Sequence, residues 1–399
     1  MDKSTSTRAL TGTALALAAA MALTACGGND DASSDAKPKQ AKGSEAVAVK
    51  NPLVASYDGG LYVLDGETLK LAKTVELPGF NRVNPAGDED HVVISTDSGF
   101  RVFDAARQTF TDAEFKGAKP GHVVQHGGKT VLFTDGTGEV NVFDPAGLAD
   151  GKKPQSRSYT SAEPHHGVAI ELTNGELLST LGTEEKRIGA LVLDKNNKEI
   201  KRAENCPGVH GEAAAEGEAI AVGCEDGVLI YKDGEFTKVD APDDYGRIGN
   251  QRGSDLSPVL LGDYKTDAEA ELERPTRISL IDTRTAQLRL VDLGTSYSFR
   301  SLARGPQGEA LVLGTNGTLH VIDPETGKVE KKIDAVDDWT EPLDWQQARP
   351  TLFVRDDTAY VSEPGKRQLH SFDLESGKKL NSVTLPKGTN ELSGVVAGH

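Results

Sequence analysis

The chain is 399 residues long, with 26% charged and only 5% aromatic residues and a formal net charge of −17 at pH 7. A chain this acidic is a poor partner for nucleic acid or for anionic lipid headgroups, and is compatible with cation handling. Its length exceeds that of an ordinary single domain, although repeat architectures build one unit of this size.

Lys3 and Arg8 form a positive n-region, residues 9–23 a small apolar stretch, and Leu23-Thr24-Ala25-Cys26 a lipobox. This pattern predicts a lipoprotein signal peptide over residues 1–25 that is too short and wrongly flanked to span a membrane. The mature chain would start at a lipidated Cys26 and sit on the outer, extracytoplasmic face of a bacterial cell membrane, held there only by its lipid anchor. A plain secretory signal with an incidental cysteine is the alternative. Residues 26–48 are polar and small, without apolar periodicity, and read as a disordered tether.

From residue 49 to residue 399 one short apolar strand closing on aspartate recurs. It runs Leu61-Tyr62-Val63-Leu64-Asp65, then Phe100-Arg101-Val102-Phe103-Asp104, and returns around Asp144, Asp194, Asp233, Asp282, Asp323 and Asp373. Successive closing aspartates are 39, 40, 50, 39, 49, 41 and 50 residues apart. A period of about 40 to 50 residues built from short strands predicts an all-β fold, a β-propeller. One unit divides into strands at 122–125, 130–134, 140–143 and 156–160, with turns marked by Gly127-Gly128, Asp135-Gly136 and Asp144-Pro145. No later window keeps a helical period. Residues 392–397 read as a lone first strand, and 52–57, 61–64 and 73–77 as the other three strands of that blade. Joining them closes a ring of eight four-stranded blades and removes the exposed edges. Seven blades is the alternative count, because the unit over 233–282 is irregular.

Against this period three histidines fall at one position. His122, His166 and His210 are 44 residues apart, and each opens a first strand. Equal positions in consecutive repeats lie side by side, so the three imidazoles are expected to converge near the mouth of the central channel. Three neutral imidazoles and an open fourth position suit Zn²⁺, with Cu²⁺ and Ni²⁺ as competitors. Asn84 and Asn250 occupy the corresponding positions in the flanking blades. Candidates for a fourth ligand or a supporting role are Glu212, two residues beyond His210, together with His165 and Glu163. His126 lies one strand length away and could mark a second, weaker site. The competing reading is three histidines that hydrogen-bond within their blades without metal. His320 and His370 share a position that reads as an exposed face, while His91 and His399 carry no pattern. Trp339 and Trp345 follow aspartates, but not at the end of a third strand, so a WD-repeat assignment is weak.

Cys206 and Cys224 flank an apparent hairpin, from about Val209 through Glu216-Gly217 to Cys224, in a chain expected to be exported. A disulfide bracing the loop of His210 follows. The alternative is Cys206 as a thiolate ligand beside His210. No Gly-x-Ser-x-Gly, phosphate loop or His-Glu-x-x-His is present, so no catalytic residue is assigned.

The segments Gly121-His122-Val123, Leu132-Phe133-Thr134-Asp135-Gly136-Thr137-Gly138, Pro164-His165-His166-Gly167-Val168-Ala169 and Cys206-Pro207-Gly208-Val209-His210-Gly211-Glu212-Ala213 resemble the family of the zinc metallochaperone AztD. The resemblance covers the whole repeat region and is sharpest over residues 118–227. It implies an exported β-propeller that binds Zn²⁺ and passes it to the solute-binding protein of a zinc ABC transporter, with His122, His166 and His210 at the core of the metal site. Some members of that family carry a histidine-rich segment near the N-terminus; the tether here contains no histidine. Other readings are a propeller enzyme of the lactonase or dehydrogenase kind, and a metal-free propeller scaffold that binds protein.

Overall fold

Each repeat unit folds into a four-stranded antiparallel sheet, and eight such sheets stand around a central channel. This computed structural model describes residues 49–396; the expected signal segment, Cys26 and the tether lie outside them, as do the last three residues. The eight-blade reading holds and the seven-blade alternative does not. The irregular unit keeps its four strands by carrying a long connection between Gly262 and Arg277.

Blade 3 consists of Pro120–His126, Lys129–Thr134, Glu139–Phe143 and Ser156–Thr160, and blade 4 of Ala169–Glu171, Leu177–Gly182, Arg187–Leu193 and Glu199–Ala203. Blade 5 consists of His210–Ala215, Ala219–Cys224, Asp226–Lys232 and Glu235–Asp240, with the short strand Gly246–Arg247 pairing in parallel at Asp226. The ring closes as the sequence predicts. Leu392–Gly394 pairs antiparallel with Pro52–Tyr57 and becomes the innermost strand of blade 1.

Burial explains why the strands read so differently. The second and third strands of a blade are sandwiched between neighbouring blades, so runs such as Pro52–Tyr57 and Ala219–Cys224 are buried throughout. Outer strands such as Leu71–Glu76 face water and mix polar with apolar residues. The recurring aspartate is punctuation. Asp65, Asp104, Asp144, Asp194, Asp282, Asp323 and Asp373 each accept a backbone N–H from two or three residues downstream, capping the turn that follows the third strand. Asp233 differs: with φ at +51° it forms a two-residue Asp-Gly hairpin turn with Gly234, joining Lys232 to Glu235.

One expectation fails here. His320 and His370 are buried, not exposed. The third strand has no solvent face in a propeller, because the next blade covers it.

Candidate metal centre

All three histidines sit on the same face, where connections from outer strands enter the next blade. At each the regular ladder is interrupted. The pairing of the first two strands of blade 3 shifts between Pro120 and Val123, around His122. In blade 5 it shifts between His210 and Glu212, where Gly211 adopts φ +69°. His166 lies in the connection just ahead of Ala169–Glu171. Bulges of this kind bend a strand and re-aim side chains. Here they turn the imidazoles toward one another: ring centroids are 5.3 Å apart for His122–His166, 5.6 Å for His122–His210 and 5.0 Å for His166–His210. One nitrogen from each ring lies within 4.8 Å of the others.

The hydrogen bonds fix two of the tautomers. His210 Nδ1 lies 2.5 Å from the carbonyl oxygen of Gly249. A carbonyl only accepts, so Nδ1 carries the proton. His166 Nδ1 lies 2.5 Å from the Asp135 carboxylate, which likewise accepts. When both rings are neutral, as metal ligation requires, both Nε2 atoms are unprotonated lone-pair donors, and they stand 3.0 Å apart. Two lone pairs at that distance make no hydrogen bond. They match two ligand positions on one cation, since nitrogens on a tetrahedral zinc with bonds of about 2.0–2.1 Å lie about 3.3 Å apart.

Electrostatics keep two of the ligands neutral. Burial, with the neighbouring His166, pushes His210 down to about 3. Burial, then His210 and His166, holds His122 well below the usual imidazole range. His166 is the accessible member, its side chain 46% exposed.

Asp135 is the residue that sequence reasoning missed, having been read as part of a turn. It does sit in the turn between the second and third strands of blade 3, but that turn borders the connection into blade 4. Its second oxygen also accepts the Gly167 N–H at 3.4 Å. Gly121 makes room for it, since a Cβ there would lie 2.1 Å from Asp135 Oδ1. The signal was present in the quoted motif Asp135-Gly136-Thr137-Gly138, but a turn reading explains the same letters.

The remaining candidates separate. Glu212 stands beside His122, its carboxylate 3.7 Å from Nδ1, and burial pushes it up to about 8. His165 does not join the cluster. It is buried against Phe133, with Nδ1 bonded to the Glu163 carbonyl at 2.9 Å and Nε2 to Thr180 Oγ1 at 3.1 Å. Glu163 contributes that carbonyl while its side chain is exposed. His126 is paired with Glu218 at 3.0 Å, away from the three rings. Asn250 is occupied by Asp263, and Asn84 lines the channel. Cys206 and Cys224 are joined in a disulfide, so the thiolate-ligand alternative for Cys206 is set aside. That bond ties the loop leading into His210 to the end of the second strand of the same blade.

No protein-family model matches the chain. Among curated proteins, the zinc chaperone AztD of Citrobacter koseri is 27% identical over 282 residues, 68% of this chain and 64% of that protein. The chain thus aligns with less than two thirds of that relative's length. Two solved structures of C. koseri AztD, one of them the apo form, superpose with a TM-score of 0.74, at 22% and 21% identity over 86% of this chain and 96% of theirs. Dihydro-heme d1 dehydrogenase NirN shares the fold at a TM-score of 0.56 and 12% identity, over 91% of this chain and 83% of its own. In sequence over most of the propeller, and in fold, this chain resembles the zinc chaperone AztD.

Proposed function

We propose that this chain is a zinc metallochaperone, which takes up Zn²⁺ on His122, His166 and His210 and passes it to the solute-binding protein of a zinc ABC transporter. The observation that carries the reading is the facing pair of unprotonated nitrogens, His166 Nε2 and His210 Nε2, 3.0 Å apart with their other nitrogens committed to Asp135 and Gly249. A second support is the resemblance to a protein named as a zinc chaperone. Zinc is cargo here, so the site has to release it as well as hold it. Three neutral ligands, one of them on the exposed His166, leave a coordination position open to an incoming ligand from a receiving protein. Asp135 and the Gly249 carbonyl set the tautomers and orient the rings, the usual task of groups behind metal-bound histidines. Glu212 is the nearest acid to His122 and is the candidate for a fourth ligand or for a proton acceptor during loading.

The lipobox at Cys26 supports anchoring on the extracytoplasmic side, with residues 26–48 as the tether. An anchor of that kind would hold the protein near a membrane transporter. Catalysis is not part of the proposal.

The test is transfer. Protein loaded with one equivalent of zinc is mixed with the metal-free solute-binding protein of the transporter, separated, and assayed for metal in each fraction. Delivery faster than spontaneous release into a chelator is expected. Release at the same rate with and without the acceptor would leave a zinc-binding protein but remove the chaperone role.

A further inference from the structure

The central channel carries a charge imbalance opposite to that of the whole chain. In a protein of net charge −17, four arginines, Arg82, Arg252, Arg300 and Arg304, line one cavity of about 590 Å³. Three carboxylates line it with them: Glu212, Asp255 and Glu391.

These charges are not equally engaged. Arg82 Nε and Arg300 Nη2 share Glu391, at 3.0 and 3.1 Å, and Arg300 is also held by the side chain and carbonyl of Asn390. Arg304 is tied to the backbone carbonyls of Arg252, Val259, Gly308 and Glu309. Arg252 stands apart. Its Nε reaches the Leu302 carbonyl at 3.2 Å and its Nη1 the Gln251 carbonyl at 2.8 Å. Among the described residues it forms no ion pair, and it stays exposed to the water of the channel. Asp255 is exposed, in the turn after the first strand of blade 6. Glu212 is beside His122. Partial dehydration inside the channel holds the Arg252 guanidinium below its usual value; Glu212 opposes this as the nearest acidic charge, and Arg82 adds to it as a like charge.

A guanidinium with free N–H groups, sharing a cavity wall with a second one, is suited to receive an oxyanion in bidentate fashion. We infer that the channel binds a small oxyanion of sulfate or phosphate size, held by Arg252 with Arg82 as the second cation. The backbone carbonyls on Arg252 aim the guanidinium, and among the described residues no carboxylate reaches it as an ion pair, so an anion can take its remaining N–H groups. This inference does not rest on zinc at the histidines, and its test uses metal-free protein.

The experiment is calorimetric titration of sulfate, and separately of phosphate, into the metal-free protein in chloride buffer at constant ionic strength. Saturable binding of one anion is expected. It should weaken at least tenfold in Arg252→Gln and in Arg82→Gln, recover in part in Arg252→Lys, and stay unchanged in Arg202→Gln on the outer strand of blade 4. Thermal melting of each variant confirms that it is folded. No saturable binding by the wild type would overturn the inference. So would equal affinity in a folded Arg252→Gln variant, or an equal loss in Arg202→Gln.

Discussion

At the residue scale the decisive groups are those that fix protons rather than those that touch metal. Asp135 and the Gly249 carbonyl leave His166 and His210 with unprotonated Nε2 atoms 3.0 Å apart. Removing such a partner costs on the order of 10–100-fold in metal affinity, so Asp135→Ala should weaken zinc binding by that factor while leaving the melting temperature near that of the wild type. A chelator competition checks it. The site also sets a pH dependence with two opposing signs. His210 is held near 3 in the fold against an ordinary value of 6.5, so the unfolded chain takes up a proton that the native state refuses as pH falls below 6.5. Its contribution is present above that pH and is lost on acidification, by up to roughly 2 kcal/mol at pH 5. Glu212, raised to about 8, behaves the other way: its contribution is complete below its ordinary 4.5 and is lost as pH rises toward 8. Denaturant unfolding of metal-free protein between pH 5 and 8 should therefore show wild type losing stability relative to His210→Gln toward acid, and relative to Glu212→Gln toward alkali. Parallel curves for all three would contradict the assigned protonation states.

At the element scale, the loop into His210 is held by the Cys206–Cys224 bond and by the Gly208 N–H on the Arg187 carbonyl. Closing a loop across a sequence separation of 18 residues stabilises by about 3 kcal/mol in the chain-entropy account. Replacing both cysteines with serine should cost about that much and should also weaken zinc binding, because His210 loses its anchored approach. Unfolding and metal titrations of the same variant read both effects. The sequence made much of this element legible. The strand periods, the turn glycines and the 44-residue spacing of the histidines place His122, His166 and His210 in adjacent blades at one face, and the hairpin places the two cysteines together. What spacing within one unit does not carry is contact between units. Asp135 acts across the boundary between blades 3 and 4, so within its own repeat it is only a turn residue. Alternation also misleads where the strand bulges: Gly211, at φ +69°, inserts between His210 and Glu212, and the glutamate ends beside His122. His320 and His370 look exposed by composition, although a neighbouring blade buries them.

At the scale of the whole molecule the ring depends on one short strand. Leu392–Gly394 is the innermost strand of blade 1, and Glu391 just ahead of it binds Arg82, Arg300 and the Val83 N–H. A chain ending before residue 391 should lose the closure of the propeller and leave the first blade with an unpaired edge. Broadened, less cooperative thermal unfolding is the expected result, whereas a transition matching the full chain would show that the ring closes without it. The channel and the metal centre share this frame, since all eight first strands contribute residues to the cavity wall.

The central claim is that three imidazoles from three successive blades act as one metal site. Competition for zinc against a chromophoric chelator, with wild type and with His122→Ala, His166→Ala and His210→Ala, tests it most directly. The account predicts one tightly bound zinc in the wild type and a large loss of affinity in each single variant, with the fold retained. A wild type that fails to compete with the chelator, or three folded variants that bind zinc as the wild type does, would contradict it.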